Sequence, residues 1–134
     1  MEIDIEKLIK EAIEARERAY CPYSNFAVGA ALLVGSGEIY RGCNAENASY
    51  PAGICAERCA MFKAVSEGHR DFAAIAIVGG RKGEASDTYA YPCGICRQVM
   101  SEWAGKDFKI IVAKSCADYK VYSLEELLPE SFKL

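Results

Sequence analysis

Two short stretches of this chain hold residues whose types and spacing suit one piece of chemistry: Cys55-Ala56-Glu57, and Pro92-Cys93-Gly94-Ile95-Cys96. A Cys-x-x-Cys by itself is a redox pair, half of a zinc site, or an accident of a chain with 7 cysteines. Three thiolates from the two stretches together would leave the fourth tetrahedral position of a zinc ion open, and zinc lowers the pKa of water there from roughly 16 to about 7. Glu57, just past Cys55, is then placed to move a proton rather than to bind the metal. Three thiolates more than neutralise Zn²⁺ and make it a poorer Lewis acid, which gives the next residue, Arg58, a task. Its guanidinium is expected to donate to one or more ligand sulfurs and offset their charge. The plainer alternative for Arg58 is a surface pairing with a helical glutamate.

These residues need elements to hold them. Apolar positions at Ile5, Leu8, Ile9, Ala12 and Ile13 recur with helical period, predicting an amphipathic helix from Asp4 to Tyr20 with Asp4 as a possible N-cap. The uniformly apolar Phe26 to Val34, the Gly35-Ser36-Gly37 turn and Glu38 to Asn44 predict a two-stranded hairpin. A helix from Cys55 to Glu67 closes at Gly68, and a strand follows from Ala73 to Gly79. After a polar, Gly-rich loop, Cys93 to Trp103 is helical with a stop at Gly105, Lys109 to Ala113 is a strand, and Lys120 to Tyr122 a short fifth one. Ser123 with Glu126 forms a capping box opening a last helix, ended by Pro129. This order predicts an α/β fold with a mixed sheet layered between helices. Both candidate ligand stretches fall where a loop meets a helix N-terminus, whose free N–H groups lower thiol pKa values.

The composition sets the outer bounds. With 134 residues, one domain spanning 1–134 is expected. Hydrophobic residues at 51% and charged residues at 26% exclude disordered, collagen-like and coiled-coil chains. The net charge of −3, with both signs interspersed, offers no basic face for a polynucleotide. No apolar run is long enough for a membrane helix, and the acidic start MEIDIEKLIKEA is unlike a secretory leader, so a cytoplasmic protein is expected. An odd cysteine count then favours reduced thiols, with Cys21, Cys43 and Cys116 buried or incidental. The single histidine, His69, follows Gly68 in a polar turn and suits a solvated position better than a catalytic one.

The pattern Cys-x-Glu…Pro-Cys-x-x-Cys is the zinc deaminase signature with Cys in place of His. Over nearly its whole length the chain resembles the small cytidine deaminase family, the three-cysteine homotetrameric type. AYCPYSNFAVGAALL (19–33), GCNAENASYPAGICAERCAMFKAVSEG (42–68), PCGICRQVM (92–100) and the ending ELLPESF (126–132) carry the resemblance. It implies a three-layer α/β/α cytidine deaminase-like fold with about five strands, and zinc-dependent hydrolysis of cytidine and deoxycytidine to uridine and deoxyuridine with ammonia release, a step of pyrimidine salvage. By the same resemblance Cys55, Cys93 and Cys96 hold one Zn²⁺ per chain and Glu57 is the proton shuttle. Asn44 and Glu46 match a pair that grips the ribose 3′-hydroxyl, and Phe26, Tyr50 and Ala56 fall on the nucleoside site. Phe132 matches a ring reaching the pyrimidine from a neighbouring subunit, so a homotetramer with shared active sites is implied. Read from residue types alone, Asn44 and Glu46 point to one side of an extended segment, or are simply turn residues.

Two positions depart from the family pattern. Tyr91 precedes Pro92 where a small residue is usual, and Cys59 stands where Thr is usual. Cys59 lies one helical turn from Cys55, which opens a rival reading: a structural zinc module with a closed four-cysteine site and no room for water. A related deaminase acting on another nucleoside or base is the other alternative. Thioredoxin-like redox chemistry at Cys93 and Cys96 would leave Cys55 and Glu57 without a task.

Overall fold

The computed structural model describes residues 1–134. Its elements are α1 (Ile5–Arg16), β1 (Phe26–Val34), β2 (Ile39–Cys43), α2 (Ala56–Ser66), β3 (Phe72–Arg81), α3 (Gly94–Trp103), β4 (Ala104–Ser115), β5 (Asp118–Ser123) and α4 (Leu124–Leu127), with one 3-10 turn at Tyr50–Ala52. Five strands form one mixed sheet in the order β2-β1-β3-β4-β5. Only β3 and β4 run parallel, because α3 carries the chain between them; the other pairs are antiparallel.

The central strands are apolar at nearly every position because both sheet faces are covered. On one face Ala30, Leu32, Ile75, Ile77, Ile110 and Val112 pack with Ala60, Met61 and Ala64 of α2 and with Met100 of α3. On the other, Ala31, Leu33, Ala74, Ala76, Val78, Ile111 and Ala113 receive Leu8, Ile9 and Ala12 of α1. The residue alternation along each strand thus sorts the core into two layers. Small residues let the helices sit close. A Cβ at Gly29 would lie 2.0 Å from the Ala12 carbonyl oxygen, and one at Gly42 would lie 2.4 Å from the Ala60 nitrogen.

The α/β class, the layering and the five strands agree with the expectation, while several boundaries move. Helix α1 stops at Arg16 instead of running to Tyr20. Arg16 reaches across to donate to the carbonyls of Ala27, Arg81 and Glu84, and Tyr20 leaves to bridge to Ala45. Cys55 and Cys93 are N-caps rather than the first helical residues. Strand β4 begins directly after α3, so Gly105 is no helix stop but the second residue of the strand. Nothing in Ala-Gly-Lys-Asp favours a strand; pairing of Ala104 with Phe72 imposes it.

This topology gathers one end of the sheet. Helix α2 ends in the turn that feeds β3, and α3 begins from the loop that leaves β3. Both helix N-termini therefore lie at the C-terminal end of β3, where antiparallel pairing also sets Phe26 opposite Arg81.

Candidate active site

At that end of the sheet the Sγ atoms of Cys55, Cys93 and Cys96 lie within 4.8 Å of one another. The Cys55 and Cys93 sulfurs are 3.8 Å apart, the separation expected of two thiolates at about 2.3 Å from a tetrahedral zinc. Three soft donors converging from two helix N-termini fit that metal. Cys96 is fully buried, in the first turn of α3, while Cys93 caps the helix and accepts from the Cys96 backbone N–H at 3.5 Å. All seven cysteines are free thiols.

The Arg58 guanidinium spans the cluster. Its Nε donates to Cys96 Sγ at 3.4 Å and its Nη2 to Cys55 Sγ at 3.3 Å. The Cys55 thiol is held well below the ordinary range, first by its hydrogen bond with Cys96 and then by those with Arg58 and Cys93. Cys96 is pushed the opposite way, by the same bond to Cys55 and by burial. A dication bound here would displace whatever protons these thiols still carry.

Glu57 is 4% exposed and lines a cavity of about 670 Å³ beside the cluster. Burial pushes its carboxyl up to about 7; its own backbone N–H pulls down and the neighbouring Cys55 charge adds to the rise. A carboxyl that titrates near neutrality can both take and return a proton. It belongs to the first turn of α2, next to Cys55, so the backbone that positions a sulfur positions the acid too.

The same cavity is lined by Phe26, Asn44, Glu46, Tyr50, Ala56 and Arg58, together with Cys55 and Cys93. Asn44 is engaged at both ends of its carboxamide: Oδ1 accepts from Val28 N–H at 2.8 Å and Nδ2 donates to the Phe26 carbonyl at 2.9 Å. Glu46 accepts from the backbone N–H groups of Tyr23 and Ser24 at 2.9 and 3.1 Å and from the Ser24 hydroxyl. The Ser24 hydroxyl bond lowers its carboxyl pKa most. These two side chains therefore fasten the entry of β1 to the extended segment after β2 while bordering the cavity. Tyr50 is 80% exposed at the rim.

Phe132 does not line the cavity of its own chain. The residue is 63% exposed, and Gln98 Nε2 donates to its carbonyl at 3.2 Å. Cys59 stays outside the thiol cluster: its Cβ lies 3.0 Å from where a Gly42 Cβ would sit, against β2. The closed four-cysteine site is thus not formed, because α2 turns this residue toward the sheet. Tyr91 borders the cavity with its hydroxyl 2.9 Å from that of Tyr122. Residue types alone do not single out Tyr23, Ser24 or Ala90 in the lining; the pairing of Phe26 with Arg81 brings the segment before β1 to the one after β3.

A three-layer α/β/α frame with a three-thiol cluster and a buried glutamate at one sheet end defines a zinc-deaminase class, and residues 2–112 match the family of the cytidine and deoxycytidylate deaminase zinc-binding region. The chain belongs to that family. It is 51% identical to the cytidine deaminase of Halalkalibacterium halodurans over 130 residues, covering 97% of this chain and 95% of that one. Its identity to the Sporosarcina psychrophila cytidine deaminase is 47% over 130 residues, with 97% and 92% covered. The crystal structure of cytidine deaminase from Burkholderia pseudomallei superposes with a TM-score of 0.84 at 46% identity, covering 94% and 97% of the two chains. That from Mycobacterium tuberculosis does so at 0.83 and 38%, covering 99% and 100%.

Proposed function

We propose that this chain, as one domain over residues 1–134, hydrolyses cytidine and deoxycytidine to uridine and deoxyuridine with release of ammonia, in the cytoplasm, as part of pyrimidine salvage. One observation carries the reading: a buried glutamate and a three-thiol cluster share one cavity in a member of the deaminase family. One Zn²⁺ per chain, held by Cys55, Cys93 and Cys96, supplies a Lewis acid and activates water toward hydroxide when bound.

The chain's own residues do the rest. Glu57 accepts one proton of the attacking water and gives it to the ring nitrogen, then takes the remaining proton from the hydroxyl added to the ring carbon and passes it to the departing amine; its burial keeps its proton affinity matched to both tasks. Arg58 draws charge from two ligand sulfurs and so keeps the site a competent electrophile. Phe26 forms the wall beside sugar and base, and Ala56 and Tyr50 border the nucleoside. Asn44 and Glu46 bind the 3′-hydroxyl with the acceptor and donor capacity left after fastening β1. With the 2′ position read weakly, ribose and deoxyribose substrates are accepted within about a hundredfold of each other. Phe132 closes the site of a neighbouring subunit in a homotetramer, which suits a ring that stands exposed and away from its own cavity.

The test is ammonia release from both nucleosides by purified protein, with zinc counted per chain and Glu57→Gln as control. The expected result is one zinc per chain and a loss of at least about a thousandfold in kcat in the variant with zinc retained. Turnover that survives Glu57→Gln, or protein without bound zinc, overturns the reading.

A further inference from the structure

Arg97 follows Cys96 directly on the first turn of α3, and its backbone N–H donates to the Cys93 carbonyl at 3.0 Å. Its half-buried side chain turns back along the helix. Nε donates to the Pro92 carbonyl at 2.8 Å and Nη1 to the Leu127 carbonyl at 2.7 Å. No carboxylate pairs with it. The charge is therefore satisfied by two backbone oxygens in unlike places. Pro92 immediately precedes Cys93, so the plane of that peptide bond sets where the Cys93 sulfur points. Leu127 is the last residue of α4, and its carbonyl is one of those a helix end leaves without an internal partner. The next residue, Gln98, holds the Phe132 carbonyl. Beyond Leu128 the chain is exposed throughout, so within one chain the side chains that hold the tail come from consecutive residues of α3.

We propose that Arg97 is a positioning residue that couples the Cys93 ligand loop to the C-terminal tail, so that metal retention and tail order strengthen each other. The proposal rests on the reading that Cys93 and Cys96 hold zinc. One rigid fork bridging the two segments makes them a linked pair: whatever factor zinc adds to tail protection, an ordered tail adds to zinc affinity. Lysine offers a single point of donation and cannot reproduce the fork.

The experiment measures hydrogen exchange at residues 128–134 in zinc-loaded and chelator-stripped protein, and zinc release to a chromogenic chelator, for wild type, Arg97→Ala and Arg97→Lys. In wild type, zinc is expected to slow tail exchange severalfold while β3 and β4 stay protected with or without metal. Both variants should release zinc about tenfold faster or more, with fast tail exchange indifferent to zinc. If Arg97→Ala does not fold, Arg97→Lys and the wild-type comparison decide the matter. Tail exchange in zinc-binding wild type that ignores the metal overturns the coupling, as does a folded variant that releases zinc at the wild-type rate. Loss of β3 and β4 protection along with the tail overturns it too, since that change is global unfolding. A wild type that binds no zinc removes the metal reading itself, and the zinc count reveals this before any coupling is measured.

Discussion

Arg58 and Cys59 are neighbours on α2 with opposite fates. Arg58 turns toward the thiol cluster and bridges two sulfurs; Cys59 turns toward β2, where only the glycine at position 42 leaves room for it. Replacing Arg58 with Ala leaves two sulfurs without their donor, and turnover should fall about 10- to 100-fold. The thermal midpoint should move by only a few degrees, because little core is lost. Steady-state kinetics beside a melting curve check this; wild-type kcat in the variant contradicts the charge-offset role. Cys59→Ala should keep both zinc and activity, since its sulfur lies outside the cluster. Loss of zinc from that variant, measured on the purified protein, would return weight to the closed structural site.

At the scale of elements, the site depends on how closely two helices approach the sheet, and the two approaches have separable consequences. Gly29 lies under α1, which carries no candidate site residue, while Gly42 lies under α2, which carries Glu57 and follows the Cys55 cap. A methyl group at either position meets helix backbone, which cannot yield as a flexible side chain does. Gly29→Ala should therefore cost about 1–3 kcal/mol of stability and leave kcat per folded molecule unchanged. Gly42→Ala should cost a similar amount and also lower kcat roughly tenfold or more, since shifts of an ångström at a catalytic group weigh heavily. Urea denaturation with activity normalised to the folded fraction separates the two; equal kcat in both variants would mean that α2 tolerates displacement.

For the whole molecule the deciding point is where Phe132 acts. Its own chain's cavity is lined without it, so a shared site predicts complementation between differently damaged copies. Phe132→Ala retains Glu57, and Glu57→Gln retains the tail. Mixed and allowed to reassemble, the two should give activity several times the sum of the separate proteins, because some Phe132→Ala sites receive an intact tail. Activity that stays at the sum after verified subunit exchange places the tail's role within one chain, or removes it.

The local chemistry was legible in the sequence because it is local. Cys55, Glu57 and Arg58 sit within one helical turn, and the Pro92-Cys93-x-x-Cys96 spacing sets two sulfurs at the start of another, so the thiol cluster, the carboxyl beside it and the guanidinium on two of its sulfurs follow from short spacings. The layered α/β class followed from periodicity, since apolar alternation reports which faces are covered. Tertiary structure alone decided the rest. It extended β4 back to Ala104 against its local propensity, turned Cys59 to the sheet, and gave Asn44 and Glu46 their partners on β1 and the turn before it. It also set Arg97 between Pro92 and Leu127. Each of these contacts joins residues far apart in the chain, and short-range spacing holds no information about which distant backbone group a side chain will meet once strands have paired.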